Sequence, residues 1–157
     1  MMHVRSARMT DTEKIAATHR ASIEGLCSGF YSKKDIDGWV EIIDPSIYEN
    51  AIKEKVMIVA EDKDAILGLG ILDLEHSEIG AIYIHPKVMG TGVGSCLLLD
   101  LEARASNDKA ERLTLCSTIN ALGFYQHHGY VSEGKAFHEL PNGVKLECIR
   151  MHKILIK

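Results

Sequence analysis

The chain has little proline, no excess of basic charge and no closely spaced pair of cysteines. Only three of its 157 residues are proline, and no internal repeat, low-complexity segment or linker rich in proline, glycine or serine interrupts it. With 46% hydrophobic and 25% charged residues, the composition disfavours intrinsic disorder, collagen-like repeats and a polytopic membrane protein. The length supports one domain with a hydrophobic core, so we expect a single domain over residues 1–157.

The charge balance and the lack of a long apolar run limit the partners of the chain. Its 18 Lys and Arg residues against 22 Asp and Glu residues give a formal charge of −4, which offers no sequence-independent attraction to nucleic acid. No apolar run approaches the roughly 18 residues that cross a bilayer, and no signal-peptide core follows the N-terminal Met-Met-His-Val-Arg. We therefore expect a cytoplasmic protein that binds neither nucleic acid nor a membrane.

The cysteines form no C-x-x-C pair, which excludes zinc-ribbon and thioredoxin-type sites. The His127-His128 pair has no further ligands at metal spacing, so we interpret it as an exposed helix end and expect no metal. No histidine or asparagine partner is evident for Cys116, which argues against covalent cysteine catalysis. Most of the four cysteines are expected to be buried, reduced thiols: Cys27, Cys96, Cys116 and Cys148.

Hydrophobic periodicity predicts a sheet flanked by helices. The pattern Thr10-x-x-Glu13 is typical of a capping box that starts a helix. Three strand-like runs then follow one another without a helix, which favours an antiparallel meander, and Asn142-Gly143 suits a hairpin turn. The predicted strands span residues 3–8, 56–60, 65–74, 79–84, 112–117, 130–139 and 144–152, and the predicted helices 11–25, 33–43, 46–53, 92–106 and 120–127. The fold class is therefore α/β or α+β, with six or seven strands.

Alternating glycines lie between a predicted strand and a predicted apolar helix. Gly90, Gly92 and Gly94 have no Cβ, so backbone N–H groups can approach an anion at the positive end of the helix. A dinucleotide fingerprint would need glycine or alanine at Ser95 or Leu97, and no G-x-x-x-x-G-K-[ST] motif occurs. Taken alone, the turn is compatible with a phosphate site or with a tight connection.

Three segments in a fixed order resemble the GNAT superfamily of N-acetyltransferases. They are His85-Pro86, the stretch Gly-Thr-Gly-Val-Gly-Ser-x-Leu-Leu that starts at Gly90, and Asn120-Ala-Leu-Gly-Phe-Tyr-Gln-His-His-Gly-Tyr130. The resemblance is clear over residues 56–131 and points to a small, single-domain, bacterial-type branch. It implies a GNAT-like mixed, mostly antiparallel sheet and acetyl-CoA as cosubstrate.

The resemblance also implies which residues would hold acetyl-CoA. The glycine turn would cradle the diphosphate, the strand before it would pair with the pantetheine amides, and Asn120 and Tyr125 would lie beside the pantetheine and the thiol. Two departures are Met89, where the family has glutamine or arginine, and Thr118, where the family's asparagine often lies. The cofactor-binding residues implied in this way are Ile82, Tyr83, Ile84, Met89, Gly90, Thr91, Gly92, Val93, Gly94, Ser95, Asn120 and Tyr125.

Acetyl transfer from a thioester to an amine needs an unprotonated nucleophile, a polarised carbonyl and a proton for the departing thiolate. Tyr125 matches the general acid of the family, and Glu78 lies on the strand where some members carry a catalytic glutamate. The alternatives are a packed tyrosine and a solvated glutamate. Because N-terminal helices form the acceptor wall in this superfamily, acceptor contacts are expected from His19, Ser22, Tyr31 and Trp39, with a core role for His19 as the alternative.

Together, the residues and the resemblance predict an acetyl-CoA-dependent N-acetyltransferase. It would move an acetyl group to a primary amine by direct attack in a ternary complex, and the acceptor would be a small molecule or a peptide. A catalytically inactive CoA-binding regulatory module is the alternative, and a nucleotide-binding protein is a third reading. The final hairpin around Leu140 is expected either to support a homodimer or to close over the acceptor.

Overall fold

The computed structural model describes residues 1–156 as a seven-stranded sheet with helices on both faces. The strands are β1 (Met2–Ser6), β2 (Val56–Asp62), β3 (Ala65–Asp73), β4 (Glu78–Ile84), β5 (Arg112–Ser117), β6 (Val131–Glu139) and β7 (Lys145–Ile154). The helices are α1 (Thr12–Ser22), α2 (Lys33–Glu41), α3 (Glu49–Glu54), α4 (Val93–Asn107) and α5 (Leu122–His127). The strand order is β1-β2-β3-β4-β5-β7-β6, and only β4 and β5 are parallel neighbours. The expected fold class is confirmed, with seven strands.

The central strands bury side chains on both faces of the sheet, since successive side chains along a strand point to opposite sides. On β2, Met57 and Val59 join a core cluster with α1 and α2, while Ile58 and Ala60 join a second cluster with α4. The helix after the glycine turn, predicted as apolar, buries Leu97, Leu98 and Leu101 completely. Within residues 1–156, no helix is both long and apolar enough to cross a membrane.

Strands β4 and β5 are paired over a very short distance. Only Glu78 with Thr114 and Ile79 with Leu115 are in register. Next to this short ladder, β4 has a bulge at Gly80. Ile79 pairs with Leu72 and Ala81 with Ile71, so Gly80 between them has no partner on β3. A bulge bends its strand, so β4 separates from β5. The backbone of residues 81–84 is therefore left without a strand partner on the β5 side.

The start of the first helix differs from the prediction. Thr10 lies in a 3-10 turn, Met9–Asp11, and α1 begins without a side-chain cap. The carboxylate of Asp11 instead accepts the backbone N–H of Arg8 at 2.7 Å and two guanidinium bonds from Arg5 at 2.8 and 3.0 Å. The predicted Thr10–Glu13 capping box is thus wrong, because a stronger acceptor one residue away satisfies the turn. After Ser22 the helix continues as one π-helical turn, Ile23–Cys27.

The last hairpin folds back onto α2. Gly143 has a left-handed φ of +88°, as expected for the Asn-Gly turn. The amide of Asn142 donates to the carbonyl of Gly38 at 2.8 Å, and Leu140 is buried in the cluster beneath α2. The hairpin tip therefore covers the same face of the sheet as the N-terminal helices.

Candidate active site

A cavity of about 540 Å³ opens where β4 and β5 separate. Its walls come from β4, the glycine turn after it, α5, and the segment between α1 and α2. None of the lining residues carries a charged side chain. The lining residues are Ser22, Leu26, Cys27, Phe30, Ile82, Tyr83, Ile84, Val88, Met89, Gly90, Gly92, Gly94, Ser95, Thr118, Asn120, Ala121, Phe124 and Tyr125.

The glycine turn presents a row of unused backbone donors. Gly90 and Gly92 have φ angles of +78° and +95°, and a Cβ at either position would meet no atom within 4 Å. Among residues 1–156, no backbone or side-chain acceptor takes the N–H groups of Gly90, Gly92, Val93, Gly94 or Ser95. These groups surround the N-terminus of α4, where the helix dipole adds positive potential. The turn is therefore built to bind an anion.

The middle of the cavity offers hydrogen bonds to an extended polar chain. Residues 81–84 of β4 have the open backbone described above. Across the gap, the Oδ1 atom of Asn120 is buried and has no hydrogen-bond partner in the described part of the chain. A buried amide oxygen without a donor costs free energy until a ligand supplies one. An elongated ligand with amide groups and an anionic end therefore fits this cavity.

Tyr125 lies in the wall opposite β4. Its ring is buried and packs edge-on against Phe124 and Tyr130, with centroid distances of 5.1 and 5.7 Å. Burial raises the pKa of the phenol well above its usual value of 10. The hydroxyl group is consequently protonated at neutral pH and has no hydrogen-bond acceptor among residues 1–156. It can donate a hydrogen bond to a ligand atom in the cavity.

Glu78 lies outside the cavity lining, at the beginning of β4. Its Oε2 atom accepts a hydrogen bond from Nη1 of Arg150 on β7 at 2.9 Å, and the two side chains are 37% and 39% exposed. The same Nη1 lies 3.5 Å from Sγ of Cys116. Glu78 is five residues from Tyr83, which corresponds to about 16 Å along an extended strand. The side chain therefore belongs to a partly exposed ion pair near the point where β4 and β5 meet.

The four predicted acceptor residues occupy different environments, and only Ser22 lines the cavity. His19 is buried under Tyr83, with ring centroids 4.3 Å apart, and its Nδ1 lies 2.8 Å from the Tyr48 hydroxyl. Burial, followed by the charge of Arg20, lowers the pKa of His19 to about 4. Its Nε2 atom is buried without a partner in the described residues.

Tyr31 and Trp39 support the cavity from behind. The Tyr31 hydroxyl donates to the carbonyl of Glu147 at 2.6 Å and accepts the N–H of Ile119 at 3.1 Å. Burial raises the pKa of Tyr31 to about 12, so this bridge persists at neutral pH. Trp39 is buried and packs edge-on against Tyr31 and Tyr83. Contact of these residues and of His19 with an acceptor stays a prediction.

Most of the residues implied as cofactor contacts line the cavity, together with residues that were not predicted. Thr91 and Val93 are the two of that set that do not line it, since Thr91 is exposed and Val93 is buried in the core. Sequence reasoning missed Arg150, because nothing in the sequence predicted that β7 would lie beside β5. The π-helical turn, which brings the end of the first helix to the cavity, also gave no sequence signal. The lining residues not predicted are Leu26, Cys27, Phe30, Val88, Thr118, Ala121 and Phe124.

Outside the cavity, Asp73, Glu75 and His76 place their potential ligand atoms within 4.8 Å of one another. The Asp73 carboxylate already contacts His76 Nδ1 at 2.9 Å and Lys55 Nζ at 3.7 Å. The group is largely exposed to solvent, and the contacts of Asp73 with His76 and Lys55 account for its arrangement.

Comparison with known proteins gives a consistent result. The sequence model described as "Acetyltransferase (GNAT) domain" matches residues 27–153. The chain is similar to a GCN5-related N-acetyltransferase from Rhodopseudomonas palustris, with 27% identity, a TM-score of 0.90 and coverage of 97% of this chain and 94% of that one. PaiA N-acetyltransferase from Thermoplasma acidophilum, solved in complex with coenzyme A, has 19% identity, a TM-score of 0.77 and coverage of 98% and 99%. YncA from Salmonella typhimurium, solved with its cofactor acetyl-CoA, has 18% identity, a TM-score of 0.66 and coverage of 100% and 95%.

Proposed function

The chain belongs to the GNAT acetyltransferase family, and from this premise we propose that it transfers the acetyl group of acetyl-CoA directly to a primary amine in a ternary complex. The observation that carries the proposal is the continuity of the cavity. The unused N–H groups at the start of α4, the open backbone of β4 and the Tyr125 hydroxyl all border this cavity. Anion binding, amide pairing and proton donation can therefore serve one elongated substrate.

The residues present fit acetyl-CoA in two places. The backbone donors from Gly90 to Ser95 would bind the diphosphate, without help from the largely exposed Met89 side chain. The open backbone over Ile82–Ile84 would pair with the pantetheine amides. The buried Oδ1 of Asn120 would accept an N–H from the same arm, which removes the cost of its missing partner.

Tyr125 is proposed to act at the sulfur. During transfer a C–N bond forms, the C–S bond breaks, and the amine loses a proton while the sulfur gains a negative charge or a proton. The protonated phenol would donate a hydrogen bond to the sulfur as this charge develops. Since burial raises the pKa of Tyr125, the phenol stays a donor over the whole neutral range.

Glu78 is proposed as the acceptor of the amine proton. Oε2 of Glu78 is occupied by Arg150, whereas Oε1 has no hydrogen-bond partner among residues 1–156. A water molecule on that oxygen would relay the proton from the amine, because Glu78 lies outside the cavity lining. Arg150 would hold the carboxylate in a fixed direction through its hydrogen bond to Oε2.

Ligand-dependent unfolding and thiol release test the function together. A ligand at about 100 times its Kd should raise the unfolding free energy by roughly 2.7 kcal/mol, which for this chain length corresponds to an increase in Tm of about 5–10 °C. Release of free CoA thiol with at least one amine of a panel of small amines and peptides is then expected. Stabilisation by acetyl-CoA without thiol release would favour the CoA-binding regulatory module. Stabilisation by ATP or NAD, with none by acetyl-CoA, would contradict the proposal.

Several broader predictions remain part of the proposal. They are a single catalytic domain over residues 1–157, a homodimer in the cytoplasm, and activity without a metal, nucleic acid or membrane. All four cysteines are free thiols, which suits a reducing compartment. The expectation that most of them are buried is wrong, because Cys96 and Cys116 are exposed and only Cys27 and Cys148 are buried. Light scattering would test the dimer, and activity after treatment with a chelator would test the metal.

A further inference from the structure

One hydrogen bond links the glycine turn to the end of α5. The hydroxyl of Ser95, in the first turn of α4, lies 2.9 Å from Nε2 of His128. Ser95 lines the cavity and its backbone N–H is one of the unused donors. His128 is half-buried and packs against Phe124 of the cavity wall, with ring centroids 4.9 Å apart, although His128 itself does not line the cavity. The expectation of an exposed helix end is therefore confirmed for His127 only. His128 can therefore influence a bound anion through Ser95.

The position of one proton decides what Ser95 can do. When Nε2 carries no hydrogen, the serine hydroxyl donates to the ring, and its hydrogen points away from an anion at the turn. When Nε2 is protonated, the ring donates to the serine oxygen, and the hydroxyl hydrogen can turn towards the anion. Both ring nitrogens carry hydrogen in the imidazolium form. Protonation of His128 therefore fixes Ser95 as a donor.

The charged groups around His128 are few. His127 lies beside it on α5, with ring centroids 5.3 Å apart, and Glu102 of α4 and Lys153 of β7 are the other charges close enough to affect it. Glu102 pairs with other groups, because it accepts hydrogen bonds from Lys153 at 3.1 Å and from Tyr130 at 2.8 Å. Burial, followed by the charge of His127, lowers the pKa of His128. The free protein consequently has a mostly neutral His128 at neutral pH.

We propose that His128 is a positioning residue for coenzyme binding: by donating to Ser95 it turns the serine hydroxyl towards the diphosphate, so that affinity for CoA rises when His128 takes up a proton. The inference rests on the proposed function, since it assumes that the turn binds the diphosphate of CoA. A bound dianion raises the pKa of a nearby imidazole, and linkage requires that proton uptake and CoA binding strengthen each other.

The test is the pH dependence of the Kd for CoA, measured by isothermal titration calorimetry. If binding raises the pKa of His128 by about one unit, the wild-type affinity should be several-fold tighter near pH 5.5 than near pH 8 after the ligand's own titration is subtracted, and about tenfold tighter at the acidic limit. His128→Gln keeps an N–H donor for Ser95 without a titrating group, so it should bind CoA with no such slope. His128→Leu should also lose the slope, because leucine neither titrates nor donates to Ser95, and Ser95→Ala should lose most of it.

The exposed neighbour provides the control. His127→Gln should keep the slope, with its midpoint moved slightly upward because a like charge next to His128 is removed. NMR titration of the His128 ring should show a higher pKa with CoA than without it. A slope that persists in His128→Gln, or at full size in Ser95→Ala, would overturn the inference while leaving the proposed function intact. Failure of the wild type to bind CoA at any pH would overturn both.

Discussion

The hydroxyl group of Tyr125 makes no hydrogen bond to the described part of the chain. Its ring fills the wall between Phe124 and Tyr130, whereas the oxygen faces the cavity without a protein acceptor in the described chain. Tyr125→Phe keeps the packing and removes the donor. We expect kcat to fall about 10- to 100-fold, with the Kd for acetyl-CoA within about twofold of the wild type.

Stopped-flow or steady-state thiol release measures this effect, and the Tm of the variant serves as a control for folding. Wild-type kcat in Tyr125→Phe would contradict the role assigned to the phenol.

Glu78 and Arg150 form an ion pair whose role in catalysis can be tested separately from its role in folding. Both side chains are partly exposed, so the surface ion pair itself contributes little to stability. Glu78→Gln keeps the shape and a contact with Arg150 but cannot accept a proton. We expect kcat/KM to fall at neutral pH and its acidic limb to disappear, because that limb reports ionisation of the base.

The matched variant is Arg150→Gln, which leaves the carboxylate in place and removes the guanidinium that holds it. It should retain an acidic limb, with a lower kcat. A pH profile in Glu78→Gln that coincides with the wild-type profile would identify Glu78 as a solvated side chain only.

At the scale of elements, the connection from β4 to α4 depends on backbone conformation more than on side chains. Gly92 precedes α4 with φ at +95°, and no neighbouring atom would obstruct a Cβ there. Gly92→Ala should therefore cost about 1–2 kcal/mol of stability from backbone strain alone. It should also weaken CoA binding, because relaxation of the strain would turn the N–H groups away from the anion.

Chemical unfolding and calorimetric titration measure the two effects. Gly123→Ala is the control, since Gly123 lies in α5 with an unobstructed Cβ position and no left-handed φ. Equal behaviour of the two alanine variants would show that the conformation of the turn is not required.

The order of elements could be predicted well because each has a local cause. Periodicity identified every strand of the sheet, and the bounds of β5 were predicted without error as Arg112–Ser117. The separation of β4 from β5 could not be read in the same way. It depends on a bulge at Gly80 and on pairing across the sheet, which are properties of neighbouring strands and not of the segment itself. The family resemblance predicted a ligand site in this region, whereas hydrophobic periodicity did not.

The residues of the candidate site also differ in whether local sequence could predict them. The glycine turn and Tyr125 could be predicted as cavity residues because their motif is contiguous in sequence, and Ser22 because the resemblance places the N-terminal helices at the acceptor wall. His19 lies one turn earlier on the same helix but is buried beneath Tyr83, and helical periodicity does not show how deeply each turn of a helix is buried. Arg150 and the Ser95–His128 bond join segments that are far apart in sequence, and local patterns do not report such contacts.

For the whole molecule, His19 predicts how stability depends on acidity. Burial, followed by the charge of Arg20, lowers its pKa from 6.5 to about 4 in the folded state. Between these two values the unfolded chain binds the proton and the folded chain does not, so the unfolding free energy falls as the pH decreases. The loss amounts to about 1.4 kcal/mol per pH unit, or about 3 kcal/mol over the window.

Urea unfolding at a series of pH values would measure this slope. His19→Gln keeps a polar partner for Tyr48 but cannot take up a proton, so its unfolding free energy should change less over the same window. If the variant and the wild type lose stability in parallel, His19 is not the group that titrates. Unchanged acceptor kinetics in His19→Gln would assign the residue to the core and not to the acceptor wall.

The separation of β4 and β5 has a consequence for self-association. A seven-stranded sheet normally has two outer strands whose unpaired backbone can recruit another chain, and here β1 and β6 occupy those places. The open side of β4 adds a third such surface in the interior of the sheet. This surface borders the cavity formed by the glycine turn, α5 and the segment between α1 and α2, so these elements flank any chain that pairs with it. The elements around the proposed substrate site are therefore expected to restrict pairing of another molecule with this strand.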